Sequence, residues 1–580
     1  MSPAPQSALL LHMPNRNPRS PSPLTTPTEV GGAIAGLPDL PWALAFTFLG
    51  LLVSVWMALH SDGTYHDDDL THMQIARAAW TYPAYLLDEW GRPGFTVLYA
   101  PAARLGWLAT RVCSGLLTAL TAWLAYLIAV RLRVRLAAVV PALLWLAPLT
   151  FTLSYTTLTE TPLALYFTLA GWLFLRGNHA SSAAVISLAA VTRHEAGLFV
   201  LLWLVALLRR RRPWREWIWV AWAPVLYHVL SSVLLDQWPL LRFFDAHPTN
   251  EYGAGTLLTM LTRWPVAAGI GPLLLAWIGL PALLRRSGGA LWAGAGLAYF
   301  GLHTVIYCFG LFASGGYERF LVPISPVVAV AAAEALSEAW LAWRGTTPAG
   351  LSAGGPQPFA LRALVGVVLL WTAAETELGR CWANVILYHA EWTRVVLRSG
   401  ALALVVLCAG ALLLESTRRR SAHRAAVTVV AFTCGALALV QPFVAAHLPP
   451  PVQHCAPLVL TDRELAYRDA LGWLHTHGRA DRRVVAASPW VDEFMDRVRP
   501  PGVPPTGADV LGLEPGGIVL WDAREFASPR HGLTLEDLRH RSDFVELWHS
   551  GGGVEADVYC AVFERQGAAA TQARSNGARD

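Results

Sequence analysis

Apolar runs of bilayer-crossing length, separated by short polar or Arg-bearing stretches, dominate the chain from residue 41 to about residue 446. A transmembrane helix needs about 20 predominantly apolar residues to cross the hydrocarbon layer. By that measure a first span occupies residues 41–59. Further spans are expected near 107–130, 136–153, 158–175, 180–192, 196–208, 216–235, 264–284, 290–312, 320–343, 359–378, 395–414 and 425–446. The total is about thirteen, and the short pair at 180–192 and 196–208 need not cross fully. After Pro449-Pro450-Pro451 the apolar runs shorten and charges return. There, 461–477 and 534–541 read as helices, and 483–488, 517–522, 543–548 and 558–564 as short strands. The expected fold class is an all-α polytopic membrane protein with a small C-terminal extracytoplasmic α/β domain.

Composition agrees with the pattern. Of 580 residues, 54% are hydrophobic and only 14% charged, with a mean hydropathy of +0.41. A soluble domain carries about 25% charged residues, so a soluble enzyme, a disordered chain and a small disulfide scaffold are all excluded. The 26 Trp and 15 Tyr suit a chain with many membrane–water interfaces. All 44 basic residues are Arg. They crowd alternate loops, at Arg131, Arg133, Arg135, Arg176, Arg209 to Arg212, Arg285, Arg286 and Arg418 to Arg420. Acidic residues collect in the other loops, at Asp67 to Asp69, Asp88, Glu89, Glu160, Glu251 and Glu318. This is the positive-inside distribution, and it accounts for Arg209 to Arg212 without nucleic acid. Residues 1–40, rich in Pro, Ser and Thr, lack the basic-then-apolar order of a signal peptide and read as a disordered cytoplasmic tail. The tail from 566 to 580 reads likewise as disordered. The arrangement implies a multi-pass inner (plasma) membrane protein with its N-terminus cytoplasmic and the C-terminal domain, 447–565, outside. Cys455 and Cys560 would then meet oxidising conditions, as a disulfide or as two unpaired thiols. Absence of an internal repeat weighs against a transporter built from repeats.

The first outer loop, 60–94, carries the densest chemistry. Asp67, Asp68 and Asp69 are consecutive, flanked by His66 and His72. Adjacent carboxylates repel, so at least one must meet a cation or retain a proton. Such groups serve as general bases or hard-metal ligands. The bland alternative is a solvated acidic loop that merely follows the inside–outside bias.

Five motifs share the outer face. Asp68-Asp69 is followed, seven residues on, by Ala76-Arg77 at the spacing of a short helix end. Next come Gly91-Arg92-Pro93, then Thr159-Glu160, then Thr192-Arg193-His194-Glu195-Ala196-Gly197 and finally Tyr317-Glu318-Arg319-Phe320-Leu321-Val322-Pro323. In order and spacing these resemble the C-type (GT-C) integral-membrane glycosyltransferases, the superfamily of protein O-mannosyltransferases and lipid A aminoarabinose transferases. His194 stands where that pattern has Pro, and Ala196 is inserted before the Gly. The resemblance covers residues 41–345, which it marks as a catalytic module; 346–446 adds further spans.

The resemblance implies a polyprenyl-phosphate sugar donor, an acceptor hydroxyl on a glycan, lipid or protein, and inverting transfer at the outer leaflet. It casts Asp68 as general base, Asp69 as its support, with Asp67 as an extra carboxylate. Donor phosphate would fall to Arg193, Arg319 and Arg92, whose planar forks match phosphate oxygens. Asp68, Asp69, Glu160 and His66 form a candidate divalent-metal set, for Mg or Mn. Tyr65, His72, Glu195 and Glu318 are further site candidates. Arg263 and Arg394 are expected to snorkel to the headgroups. A polytopic transporter or lipid flippase would account equally for the spans, though not for carboxylates clustered with Arg at one leaflet.

Overall fold

The computed structural model describes residues 39–567 apart from 240–248, 287, 346–358, 378–389, 418, 447–455, 501–506, 527–531 and 552–557. The N-terminal and C-terminal tails, Pro449-Pro450-Pro451, residues 243–248 and Cys455 lie outside the described residues. Cys560, the other half of the suggested disulfide, is buried in the C-terminal sheet.

The chain is a multi-pass helical membrane protein. Among the described residues, six helices are long and apolar enough to cross a bilayer, or eight if two bent pairs each count as one span. That is fewer than the thirteen expected, for local reasons. The segment 136–153 is broken by Pro141 and Pro148 into a 3₁₀ turn and two helices, α5 (Val140–Trp145) and α6 (Pro148–Leu153). The helices α7 (Glu160–Leu175), α8 (His179–Ala190) and α9 (Gly197–Arg209) form where expected but are too short to span alone. The 264–284 segment belongs to a pair of helices bent by 109° at Gly269. Gly269 has φ 84°, a left-handed value that favours glycine. The amide of Gln441 bridges this break, accepting from Ile270 N–H at 2.6 Å and donating to Pro265 O at 3.0 Å. In lipid such freed backbone groups need a partner.

Helix α1 (Leu40–His60) keeps only 17% of its apolar window buried and so faces lipid. Helix α4 (Trp107–Arg131) and the helix Ser325–Arg344 are mostly buried and form the centre of the bundle with α7. Loops expected inside meet at one end: Arg286 pairs with Glu334 and the carbonyl of Leu132, and Arg362 with Glu338 at 2.5 Å. Loops expected outside meet beyond the other end of the helix Ser325–Arg344, along which Glu334 and Glu338 lie about 14 and 20 Å from Ser325.

Two short helices build that end. Helix α2 (Asp67–Ala78) opens with His66 at its N-cap and three Asp in its first turn, where the helix dipole favours anions. Helix α3 (Pro93–Ala103) begins after Arg92. Gly94 lets α3 approach α8, since a Cβ there would meet Thr192 Oγ1 at 2.2 Å.

The C-terminal domain contains a four-stranded sheet in the order β1-β2-β4-β3. Its strands are β1 (Val484–Ala486), β2 (Ile518–Asp522), β3 (Phe544–His549) and β4 (Cys560–Arg565), all within a residue or two of the alternation in the sequence. Strands β1 and β2 are parallel; the other pairings are antiparallel. The helix Asp462–Thr476 covers one face through Tyr467, Ala470 and Leu474. Leu535, Leu538 and Phe544 pack with residues of the opposite face.

Candidate active site

Helix α2 presents two faces, because residues three and four apart share a side. Asp68, Asp69 and His72 point toward the membrane module; Asp67, Leu70, Gln74 and Arg77 point toward the C-terminal domain.

On the membrane side, Asp68 Oδ2 lies 2.5 Å from Arg319 Nη2. His66 Nδ1 is 3.3 Å from both the Asp68 backbone N and Oδ2. The two contacts are alternatives: a bare Nδ1 accepts from the backbone, a protonated one donates to the carboxylate. Burial by itself raises the Asp68 pKa, but Arg319 and His66 outweigh it and hold the carboxyl well below its ordinary value. Asp69 is fully buried and accepts a 2.6 Å bond from the Thr157 N–H. Burial pushes its pKa up despite nearby Arg111. His72, one turn after Asp68, is buried against Phe95 and its pKa falls to about 3, chiefly through desolvation.

The other motifs converge here. Thr159 and Glu160 open α7, and Glu160 is fully buried. Its carboxylate is 2.7 Å from Arg193 and 3.6 Å from Arg319. Arg193 also reaches Glu195 at 2.7 Å and the Thr159 hydroxyl at 3.2 Å. Arg92 sits beside Glu195 at 3.9 Å, and its Nε and Nη1 have no hydrogen-bond partner among the described residues. Arg92, Arg193 and Tyr227 line a small crevice. Arg193 further lies over the Phe320 ring at 4.4 Å. Asp68, Glu160 and Glu195 thus face Arg92, Arg193 and Arg319 in one buried, charge-balanced cluster. At its edge the Tyr65 hydroxyl lies 3.3 Å from Glu318.

Two sequence expectations change. Asp67 is turned away from this cluster and lies between Arg463 and Arg524 of the C-terminal domain. The metal set of Asp68, Asp69, Glu160 and His66 is not brought together: Glu160 is taken by two arginines and Asp69 by a backbone N–H. Among the described residues, no group of three or more His, Cys, Asp or Glu is placed to hold a metal ion. Arg263 is anchored as well, donating to Gly315 O at 3.1 Å; the side chain of Arg394 lies outside the described residues.

Sequence reasoning missed Arg111 and His303. Arg111 donates to the carbonyls of Ser61 and Gly63 and caps the Trp107 ring at 3.8 Å. An Arg within an apolar run is the signal that marks it. His303 is buried against Tyr299 and Phe320, and both its ring nitrogens lack a hydrogen-bond partner among the described residues.

No protein-family model matches the chain, and neither does any curated protein. Solved structures do. The chain is similar to ArnT from Cupriavidus metallidurans bound to undecaprenyl phosphate, with a TM-score of 0.52 and 13% identity over 90% of this chain and 98% of that one. Similarity to the same protein in the apo state gives a TM-score of 0.53 and 15% identity over 90% and 97%. With six to eight helices of spanning length among the described residues, a charged end and a small sheet domain, the chain has the fold of ArnT.

Proposed function

We propose that this protein is a membrane glycosyltransferase that moves a sugar from a polyprenyl-phosphate donor to an acceptor hydroxyl, with inversion, at the extracytoplasmic face of the inner membrane. The observation that carries this reading is the cluster in which Asp68 pairs with Arg319 while Arg92 Nε and Nη1 have no hydrogen-bond partner among the described residues. A buried guanidinium with unused donors calls for an anion. The bound ligand of the ArnT structure, undecaprenyl phosphate, supplies the matching class: a phosphate on a lipid that reaches the site from the bilayer.

The chemistry follows from competition for Arg319. While paired, Asp68 is a poor base, because Arg319 stabilises its ionised form. A donor phosphate drawn in by Arg92 and Arg193 competes for Arg319. As Arg319 turns toward phosphate, Asp68 loses its cation and its proton affinity rises. Asp68 then removes the proton of the acceptor hydroxyl as that oxygen attacks the anomeric carbon and the carbon–phosphate-oxygen bond breaks. The departing polyprenyl phosphate is already a stable anion and is held by the arginines, so no strong acid is needed. Glu160 keeps Arg193 and Arg319 at a fixed spacing. The reading draws no step from a divalent metal.

The test is release of free polyprenyl phosphate, followed by mass spectrometry, from a panel of polyprenyl-phosphate sugars. Purified wild type and Asp68→Asn in nanodiscs are compared, with and without Mg or Mn. Wild-type release that the variant loses supports the donor class and the base. Equal release by both removes Asp68 from that role. No release from any donor or acceptor mixture favours a transporter or flippase.

A further inference from the structure

We propose that the C-terminal α/β domain is a working part of the transfer site, with Arg463 and Arg524 as positioning residues that set the rotation of α2. This rests on the transfer reading above.

Three consecutive Asp at a helix start create an ambiguity. Successive residues on a helix are turned by about 100°, so turning α2 by one residue would exchange which carboxylate meets Arg319. The C-terminal domain removes that ambiguity. Arg463 Nη2 lies 3.1 Å from Asp67 Oδ1, and Arg524 pairs with Asp67 Oδ2. Both arginines are themselves anchored. Arg463 sits in the first turn of the helix that covers the sheet. Arg524 follows the end of the central strand β2, where Asp522 Oδ1 accepts the N–H groups of Arg524 and Glu525 at 3.2 and 2.6 Å.

The rest of that α2 face agrees. Gln74 donates to Pro489 O at 2.7 Å. Arg77, at the far end, reaches Glu493 at 3.3 Å and Asp496 at 3.1 Å. Leu70 and Met73 are fully buried against the cluster of Tyr467 and Trp490. The segment leading into α2 is tied down as well: Asp62 and Gly63 donate to Leu458 O at 3.0 and 3.1 Å. A Cβ on Gly63 would collide with Val459 O at 2.1 Å, so the two segments touch backbone to backbone. With Asp67 held outward and Asp69 held by Thr157, Asp68 is the carboxylate left to face Arg319.

The experiment uses the full chain in nanodiscs and compares wild type, Arg463→Gln/Arg524→Gln and Arg463→Lys/Arg524→Lys. Amide hydrogen exchange of residues 67–78 and polyprenyl-phosphate release are both measured. The Gln pair is expected to speed exchange of the first turn of α2 and to lower kcat about 10- to 100-fold. KM for the donor should stay within about twofold, because the phosphate-binding arginines are untouched. The Lys pair should recover most of the loss. Protected strands β1, β2 and β4 in both variants would show that the domain remains folded. Unchanged exchange and kcat in the Gln pair would overturn the proposal, as would a Lys pair no better than Gln or a loss confined to KM. If the wild type turns over no donor, the transfer reading fails, and exchange alone still decides whether the two arginines hold α2.

Discussion

On the membrane side of α2, Asp68 meets Arg319 inside a cluster of three carboxylates and three guanidinium groups, and two of those cations, Arg92 and Arg319, keep buried nitrogens without a hydrogen-bond partner among the described residues. On the opposite side, Asp67 meets two arginines and Arg77 meets two carboxylates, with Leu70 and Met73 buried between them. Both faces are charged, but they are built differently. The face toward the C-terminal domain combines its ion pairs with buried apolar packing, as an intramolecular interface does. The face toward the membrane gathers Arg92, Arg193 and Arg319 around Asp68, Glu160 and Glu195. Arg92 leaves two buried nitrogens without a hydrogen-bond partner among the described residues, where Arg77 and Arg463 on the opposite face each leave one.

The comparison can be broken first at Asp68. Asp68→Asn should lower donor turnover about 10²- to 10⁴-fold, the usual contribution of a positioned base. Thermal unfolding should fall less than for Glu160→Gln, because Asp68 is 20% exposed and Arg319 keeps the Glu160 carboxylate at 3.6 Å. Steady-state release of polyprenyl phosphate alongside unfolding in detergent checks both halves.

Glu160→Gln acts on the same face in another way. It leaves Arg193 and Arg319 without their shared buried carboxylate. Breaking a buried pair costs roughly 3–5 kcal/mol, so a fall in chemical-denaturation stability of that order is expected. A loss below about 1 kcal/mol would mean that water reaches the cluster freely.

A third prediction sharpens the contrast within the C-terminal domain. Asp522, fully buried behind the interface, has its pKa pushed up to about 6, chiefly by desolvation. A carboxyl whose pKa is raised in the folded state binds more protons there than when unfolded. Stability therefore falls as pH rises from about 4 to 6 and stays lower above that range. The penalty at neutral pH is about 3 kcal/mol. Asp522→Asn still accepts the two backbone N–H bonds and should be free of this penalty. Unfolding at pH 4.5 and pH 8, wild type against variant, reads the difference directly; parallel curves would sink it.

The smallest effect lies at the surface. Arg541 and Asp543 form a 3.0 Å pair, with Arg541 40% exposed. Arg541→Gln should shift stability by under about 0.5 kcal/mol. A larger loss would show that exposed pairs in this domain carry more than their solvent screening allows.

Much of this was legible in the chain. Spacing alone placed four strands and two helices of the C-terminal domain, because alternation and amphipathic period record which side of an element is buried. The motif residues Asp68, Glu160, Arg193, Glu195, Arg92 and Arg319 were marked one by one, since ionisable side chains beside apolar runs are rare without a purpose. Their bias to one set of loops also placed them at one end of the bundle. The span count was less legible. Hydropathy sums composition over a window and does not register how Pro141, Pro148 and Gly269 break the helices inside it.

Only the tertiary structure decided which charges meet. Three adjacent Asp look alike along the sequence, yet one pairs with Arg319, one with Thr157 and one with the C-terminal domain. Arg77, part of a first-loop motif, turned out to grip Glu493 and Asp496 more than 400 residues away. Local pattern fixes the direction of a side chain from its own helix. The identity of its partner depends on how distant helices pack, and that information is spread over the whole chain.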